Sequence, residues 1–436
     1  MSHASESAAI ESAARSSRIR LSILALITVG TMINYLDRTV ISVAAPLLSS
    51  DLGLNAALMG IAFSAFSWTY AAAQIPGGIL LDRFGVRLTY FWSVTLWSLC
   101  TALQGLSTGL ASLVSARLAL GVAEAPAYPS NSRVLGMWFP QAERARATGV
   151  YSVGQYFGLA FLSPLLFWIS GTFGWRALFV IVGIAGVLFG VLWWFSYRDP
   201  HESKRVNQQE LDYIAAGGGV AHKSGATRFE WRHIRFLLSK RQIVGASIGQ
   251  FAGNSTLVFF LTWFPTYLAT ERQMAWLKVG FFAVLPFIAA SVGVVVGGVT
   301  SDYLLRRTGS ANLARKLPII SGLVLASTIV AANFLNSDGL VIAVMSVAFF
   351  GQGMVNLGWT LITDVAPKKL IGLTGGVFNL CANLAGIVTP LVVGFVVKET
   401  GSFAWALAFI AIVAVIGALS YIFVVGDVKR VEYADA

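Results

Sequence analysis

Five charged side chains interrupt stretches that are otherwise apolar: Asp37, Arg38, Arg117, Glu124 and Arg133. An arginine stays charged and offers planar, two-pronged donors that fit a carboxylate. A carboxyl group can trade a proton when burial and a neighbouring arginine pull its affinity in opposite directions. Arg38 is therefore the candidate for holding an anionic ligand. Asp37 and Glu124 are candidates for carrying protons, with Arg117 stabilising their charged forms. Tyr35 and Arg38 are three apart and share a helix face, while Asp37 is turned from Arg38 by about 100° and can meet a neighbouring helix. Arg117 and Glu124 are seven apart on one stripe; they bridge each other indirectly, or each reaches across to the first span. The plainer alternative is a salt-bridge network that only holds helices together.

Uncharged polar groups in the same apolar stretches could form the rest of a pocket: Tyr70, Gln155, Asn254, Asn356, Trp359, Asn379 and Asn383. Asn379 and Asn383 are four apart on one face, and Asn356, Trp359 and Thr363 make a similar stripe. Such groups also bond across membrane helices without touching a ligand. The four histidines, His3, His201, His222 and His233, all lie outside the apolar stretches. Neither a histidine relay nor a metal site is expected, and no cofactor is implied.

The elements that must position these groups are membrane helices. Of 436 residues, 56% are apolar or aromatic and 12% are charged, about half the charge of a soluble chain. The mean hydropathy is +0.72. The apolar blocks are each near the roughly 20 residues that cross a bilayer. Twelve spans are expected, near 22–46, 57–80, 88–108, 111–137, 146–170, 175–196, 241–268, 278–300, 317–334, 339–363, 372–396 and 402–425. A charge at the bilayer centre costs at least about 2.5–3.5 kcal/mol, so the five buried charges are functional candidates by default.

The net charge of +11 reports topology rather than nucleic-acid binding. Numbering the loops from a cytosolic N-terminus puts 24 of the 31 Lys and Arg in the tails and even loops, and four in the odd loops. That asymmetry places both termini in the cytoplasm. Cys100 and Cys381 fall inside spans, so no disulfide framework is implied.

The organisation is a 1–20 disordered cytosolic tail, a 21–196 six-helix bundle, a 197–240 cytosolic linker, a 241–425 second bundle and a 426–436 tail. The halves repeat. Gly78-x-x-x-Asp82-Arg83, with Arg87 following, matches Gly298-x-x-x-Asp302, with Arg306 following, 220 positions later. Pro140, Ala147-Thr148-Gly149 and Pro164 match Pro367, Leu373-Thr374-Gly375 and Pro390 at offsets of 226–227. Glycine allows close helix approach, and an Asp at a helix end can pair with an Arg across the bundle interface. Gly78, Asp82, Arg83, Arg87, Gly298, Asp302 and Arg306 are thus candidates for a latch that holds one conformation and releases in another.

These features, with Arg117-x-x-x-Gly121 at the start of span four, resemble the major facilitator superfamily. Several stretches resemble bacterial sugar-acid permeases of its anion:cation symporter family, of galactonate and glucarate–galactarate type. They are Asn34-Tyr35-Leu36-Asp37-Arg38, Phe63-Ser64-Ala65-Phe66-Ser67-Trp68, Gln74-Ile75-Pro76-Gly77-Gly78, Glu124-Ala125-Pro126, 372–379 and 425–430. The resemblance implies an all-α fold of two six-helix pseudo-symmetric bundles in the bacterial inner membrane. It implies a proton-coupled symporter that imports a hexose-derived sugar acid by alternating access; the partners expected are the organic anion, the proton and the lipid bilayer, with the chain acting as a monomer. It also favours Tyr35, Tyr70, Gln155 and Asn379 as substrate contacts. The chain departs from the galactonate pattern at Asn356 and Gly358, where hydroxyl residues precede the span-ten tryptophan. An organic-anion exchanger not coupled to protons is the alternative, and two acids beside the arginines weigh against it. An enzyme is not expected: Gly105-Leu-Ser107-Thr-Gly109 matches a hydrolase pattern, but no strand precedes it and no histidine is available as base.

Overall fold

The computed structural model describes residues 17–219, 231–367 and 370–433, and among them there is no β-strand. Ten of the described helices are long and apolar enough to cross a membrane. Two of the ten hold two spans each. Ala56–Gln104 is broken at Gly85 (φ 75°, ψ 171°) and Gln141–Ser196 at Gly174 (φ 83°, ψ 167°). A positive φ with an extended ψ suits only glycine, and it reverses the chain within one residue. Counting each break as a turn gives the twelve expected spans.

We number them α1 (Ile19–Leu52), α2 (56–84), α3 (86–104), α4 (Leu110–Trp138), α5 (141–173) and α6 (175–196) in the N-terminal half. The C-terminal half holds α7 (Arg241–Thr262, extended by turns to Glu271), α8 (Trp276–Thr308), α9 (Ala311–Phe334), α10 (Asp338–Val365), α11 (Ile371–Thr400) and α12 (Ala404–Val424).

The described residues of the linker form two short α-helices, Gln208–Ala216 and Trp231–Leu238, after a 3-10 turn at Pro200–Glu202. The first is tied to the start of α1. Arg18 offers no side-chain cap there. Glu210 supplies it instead, accepting from the Ile19 amide at 2.9 Å, the Arg20 amide at 3.2 Å and the Arg20 guanidinium at 3.0 Å. A carboxylate over the first amides of a helix satisfies groups that have no partner within it. Arg20 also bonds Glu143 at the start of α5, and Tyr213 reaches the same carboxylate at 2.8 Å. Residues 17–20, expected from sequence as part of a disordered tail, are thus held by the linker and the start of α5. Residues 1–16, with His3, and residues 220–230, with His222, lie outside the described residues, as do Lys368 and Lys369.

The two halves meet along α2 with α11, α5 with α8 and α1 with α7, and several close contacts lie toward the end remote from the linker. At this far end a Cβ on Gly60 would sit 2.5 Å from the Pro390 carbonyl, and one on Gly280 would sit 2.9 Å from Phe167. Trp276 packs on Phe167, ring centroids 5.0 Å apart, and donates to its carbonyl at 3.1 Å. Phe63 meets Trp263 edge-on at 5.0 Å, and Trp263 donates to the Pro390 carbonyl at 3.3 Å. At the linker end, a Cβ on Gly78, Gly149, Gly298, Gly375 or Gly376 would meet nothing within 4 Å. The halves touch at the far end, where a cavity of about 290 Å³ remains above Met59, Trp263 and Phe403, and they leave open space at the glycines of the linker end.

Candidate functional site

Arg38 on α1 keeps 15% of its side chain exposed between the two halves. Its guanidinium is ion-paired to Glu124 of α4, which is fully buried. Three rings surround the cation: Tyr35 at 5.1 Å, Phe66 at 4.9 Å and Tyr70 at 4.7 Å from centroid to guanidinium carbon. Ring faces attract a cation most strongly where water is excluded. Leaving one member of such a buried pair alone costs about 3–5 kcal/mol, so the pair persists unless something replaces it. Asn34, one turn below Arg38, lies beside Glu124.

The other charges do not join this pair directly. Asp37 is fully buried on a different face of α1 and accepts from the Trp97 indole of α3 at 2.8 Å. Arg117 directs its donors at α2, to the carbonyls of Ala62 at 3.2 Å and Phe63 at 3.0 Å. Glu124 therefore reaches across to α1, while Arg117 braces α2 against α4. Gly121, one turn from each, allows this approach; a Cβ there would come within 2.9 Å of the Tyr70 amide.

Gln155 of α5 joins the cluster through a residue that the sequence did not single out. The Tyr128 hydroxyl is 3.0 Å from Gln155 Oε1 and 3.2 Å from the Tyr35 hydroxyl. Its position one turn beyond Glu124, past Pro126, was the available signal. Next to Gln155, Tyr156 crosses to the C-terminal half, accepting from Asn356 Nδ2 at 3.3 Å and lying 3.5 Å from Gln352 Oε1. Tyr156 and Gln352 were also missed, as was Trp97; nothing in an apolar stripe marks a tryptophan as a carboxylate's partner.

On the C-terminal side, Asn383 donates to the Asn379 carbonyl at 2.9 Å and to its side-chain oxygen at 3.1 Å. Asn254 spends its donor on the Ala382 carbonyl at 2.9 Å. Trp359 stands half-exposed with its edge toward Phe378 at 5.0 Å. The residues foreseen from sequence thus fall into an N-terminal charged cluster and a C-terminal amide-and-indole group, joined by the bond between Tyr156 and Asn356.

The latch residues lie at the open end, and each aspartate pairs within its own half. Asp82 pairs with Arg133 at 2.9 Å. Asp302 lies 4.0 Å from Arg315, which also binds Asp364 at 2.8 Å. Arg87 donates to the Trp194 carbonyl at 3.0 Å, Arg83 lies over Phe84 at 5.3 Å, and Arg306 is exposed. Among the described residues no group of His, Cys, Asp and Glu could hold a metal.

Twelve helices in two halves around a charged central cavity define a membrane transporter. A sequence profile of the Major Facilitator Superfamily matches residues 27–390, and the chain belongs to that superfamily. It is 45% identical to the D-galactonate transporter of Escherichia coli O6:H1, over 96% of this chain and 98% of that one. It is 41% identical to the probable galactarate/D-glucarate transporter GudP of Escherichia coli K12, over 98% of each. Among solved structures, a D-xylose–proton symporter superposes with a TM-score of 0.73 at 15% identity, over 95% of this chain and 99% of that one. The relatives are transporters, and the chain is a transporter rather than an enzyme.

Proposed function

We propose that the protein is a proton-coupled symporter that imports a hexose-derived sugar acid, an aldonate or aldarate, across the bacterial inner membrane. The observation that carries this reading is the buried pair of Arg38 and Glu124 at the head of the open cavity. A substrate carboxylate and Glu124 compete for the same guanidinium. Protonating Glu124 removes its hold and frees two-pronged donors for the substrate. Losing that proton restores the pair and expels the substrate, so the two movements are linked. The relatives' names supply the ligand class. Gln155, Asn379 and Asn383 offer amides for a hydroxyl chain, and Tyr35, Tyr70 and Trp359 offer surfaces for its carbons.

The charge asymmetry supports a linker end, and both termini, in the cytoplasm, so the conformation described is open inward. The latch residues would pair across the interface when that end closes, completing alternating access. Both sides of the site come from one chain, which supports a monomer. The test is uptake in proteoliposomes of labelled hexonates and hexarates, with and without an inward proton gradient. Accumulation above equilibrium driven by the gradient is expected. Uptake indifferent to the gradient and to an uncoupler would instead favour an anion exchanger.

A further inference from the structure

A second polar structure runs through the N-terminal half, on the side of α1 turned away from the cavity. It starts at Asp37, where the Trp97 indole donates to one oxygen and the Thr101 hydroxyl lies within reach of the carboxylate. Trp97, Thr101 and Gln104 stand at positions i, i+4 and i+7 of α3 and form one stripe. The stripe climbs about 10 Å toward the far end. Ser107 continues it in the next turn. All four residues are buried, with Gln104 at 0% and Ser107 at 1% exposure.

Neither the amide nitrogen nor the amide oxygen of Gln104 has a protein partner, and the Ser107 hydroxyl and the second oxygen of Asp37 have none either. Buried amides and hydroxyls are satisfied almost without exception, and where protein does not do so, bound water does. The upper end meets the surface at a half-exposed ion pair. Arg176 pairs with Asp51 and donates to the Ser107 carbonyl at 3.4 Å. Ile41, Ala44 and Leu48, at helical spacing from Asp37 on α1, and Phe179 of α6 are apolar and buried. A Cβ on Gly183 of α6 would lie 2.8 Å from the Ala102 amide, so α6 closes the back of the stripe.

We propose that Thr101 and Gln104 form a hydrated proton-entry column that joins the far face of the membrane to Asp37 without passing through the substrate cavity. A hydronium ion at the mouth gives up its proton and becomes water, the proton passes along the chain of hydrogen bonds, and the Asp37 carboxylate becomes a neutral acid. The titratable group that acts on Asp37 is Glu124 of α4, with Asp51 and Arg176 at the mouth; Arg38, next in sequence, is turned to another face of α1, and α6 presents none between Leu178 and Trp194. Phe63, Trp263 and Phe403 pack ring against ring below the far-end cavity, and the column gives outside protons a route that does not pass them. The Arg38–Glu124 pair stands between the column and the open side.

This inference rests on the symport reading above, and the experiment separates the two. Gln104→Leu and Thr101→Val are reconstituted beside the wild type, and the probe is whichever of labelled D-galactonate and D-glucarate the wild type exchanges. Counterflow at equal pH should stay within about twofold of wild type, because neither residue lines the cavity. Initial uptake driven by an acid exterior should fall about tenfold, the effect of one lost buried hydrogen bond. Gln104→Asn, which keeps an amide, should recover part of it. Wild-type gradient-driven rates in both variants would overturn the column alone. Equal losses of counterflow and driven uptake would also overturn it, as a packing role. A wild type indifferent to the gradient would overturn the symport reading and the column with it.

Discussion

Asp37 and Arg38 are consecutive on α1, yet their side chains enter different structures. Arg38 faces the cavity, caged by Tyr35, Phe66 and Tyr70 and paired with Glu124. Asp37 faces α3, bound to Trp97. The 100° step of a helix separates a ligand-binding cation from a buried acid by one residue.

Glu124→Gln and Asp37→Asn should each abolish accumulation driven by a proton gradient, with at least one of them retaining counterflow. The amides keep the volume and remove the charge, so folding and substrate exchange need not fail with coupling. Accumulation at wild-type levels in both variants would show that neither acid carries the proton.

Arg38→Lys should weaken substrate binding by about tenfold or more, since a point charge replaces two directed donors worth about 1.5–3 kcal/mol each to a charged partner. Calorimetric titration with the transported acid measures it. Unchanged affinity would remove Arg38 from the site.

Tyr128→Phe deletes the hydroxyl between Tyr35 and Gln155. About 1 kcal/mol, or a several-fold rise in KM with little change in maximal rate, is expected for one such link. A fall in maximal rate alone would assign Tyr128 to the conformational step instead.

Gly60→Val places methyl groups against the Pro390 carbonyl and Gly394, where even a Cβ is too close. The far-end contact between α2 and α11 should open, shifting the population toward the outward-facing state. A cysteine placed at Ser67, which packs on Gly386 between the halves below the far end, should then react faster with an impermeant thiol reagent added from that side. No change in labelling rate would show that the interface relaxes around the side chain.

Glu210 lies in the linker, outside the spans. Burial pushes its carboxyl up, but hydrogen bonds from Ser17, the Ile19 amide and Arg20 outweigh that and leave it below the usual carboxylate range. A folded-state value below the unfolded one stabilises the fold at higher pH, and the contribution is lost as pH falls through the folded value. On acidification below about pH 4.3, the ordinary glutamate value, the wild type should lose thermal stability more steeply than Glu210→Gln. Parallel unfolding curves would show that the helix Gln208–Ala216 is held by packing alone.

The sequence by itself determined the twelve spans, the repeat and the residues that put charge inside the membrane. Span length and charge cost are properties of a helix in a bilayer, and face is a property of spacing along it. The sharing of a face by Tyr35 and Arg38, and the turning away of Asp37, were legible for that reason. Only the tertiary structure decided the partners. Glu124 could have reached Arg117 or Arg38, and Arg117 could have served an acid rather than the carbonyls of Ala62 and Phe63. Asp82 could have crossed to the other half rather than pairing with Arg133. Trp97, Tyr128 and Tyr156 acquired roles solely from what stands opposite them. Spacing fixes direction around one helix axis, whereas a partner depends on the rotation and approach of a second helix. Those are set by close packing at positions such as Gly121, Gly183 and Gly60, summed over the whole bundle.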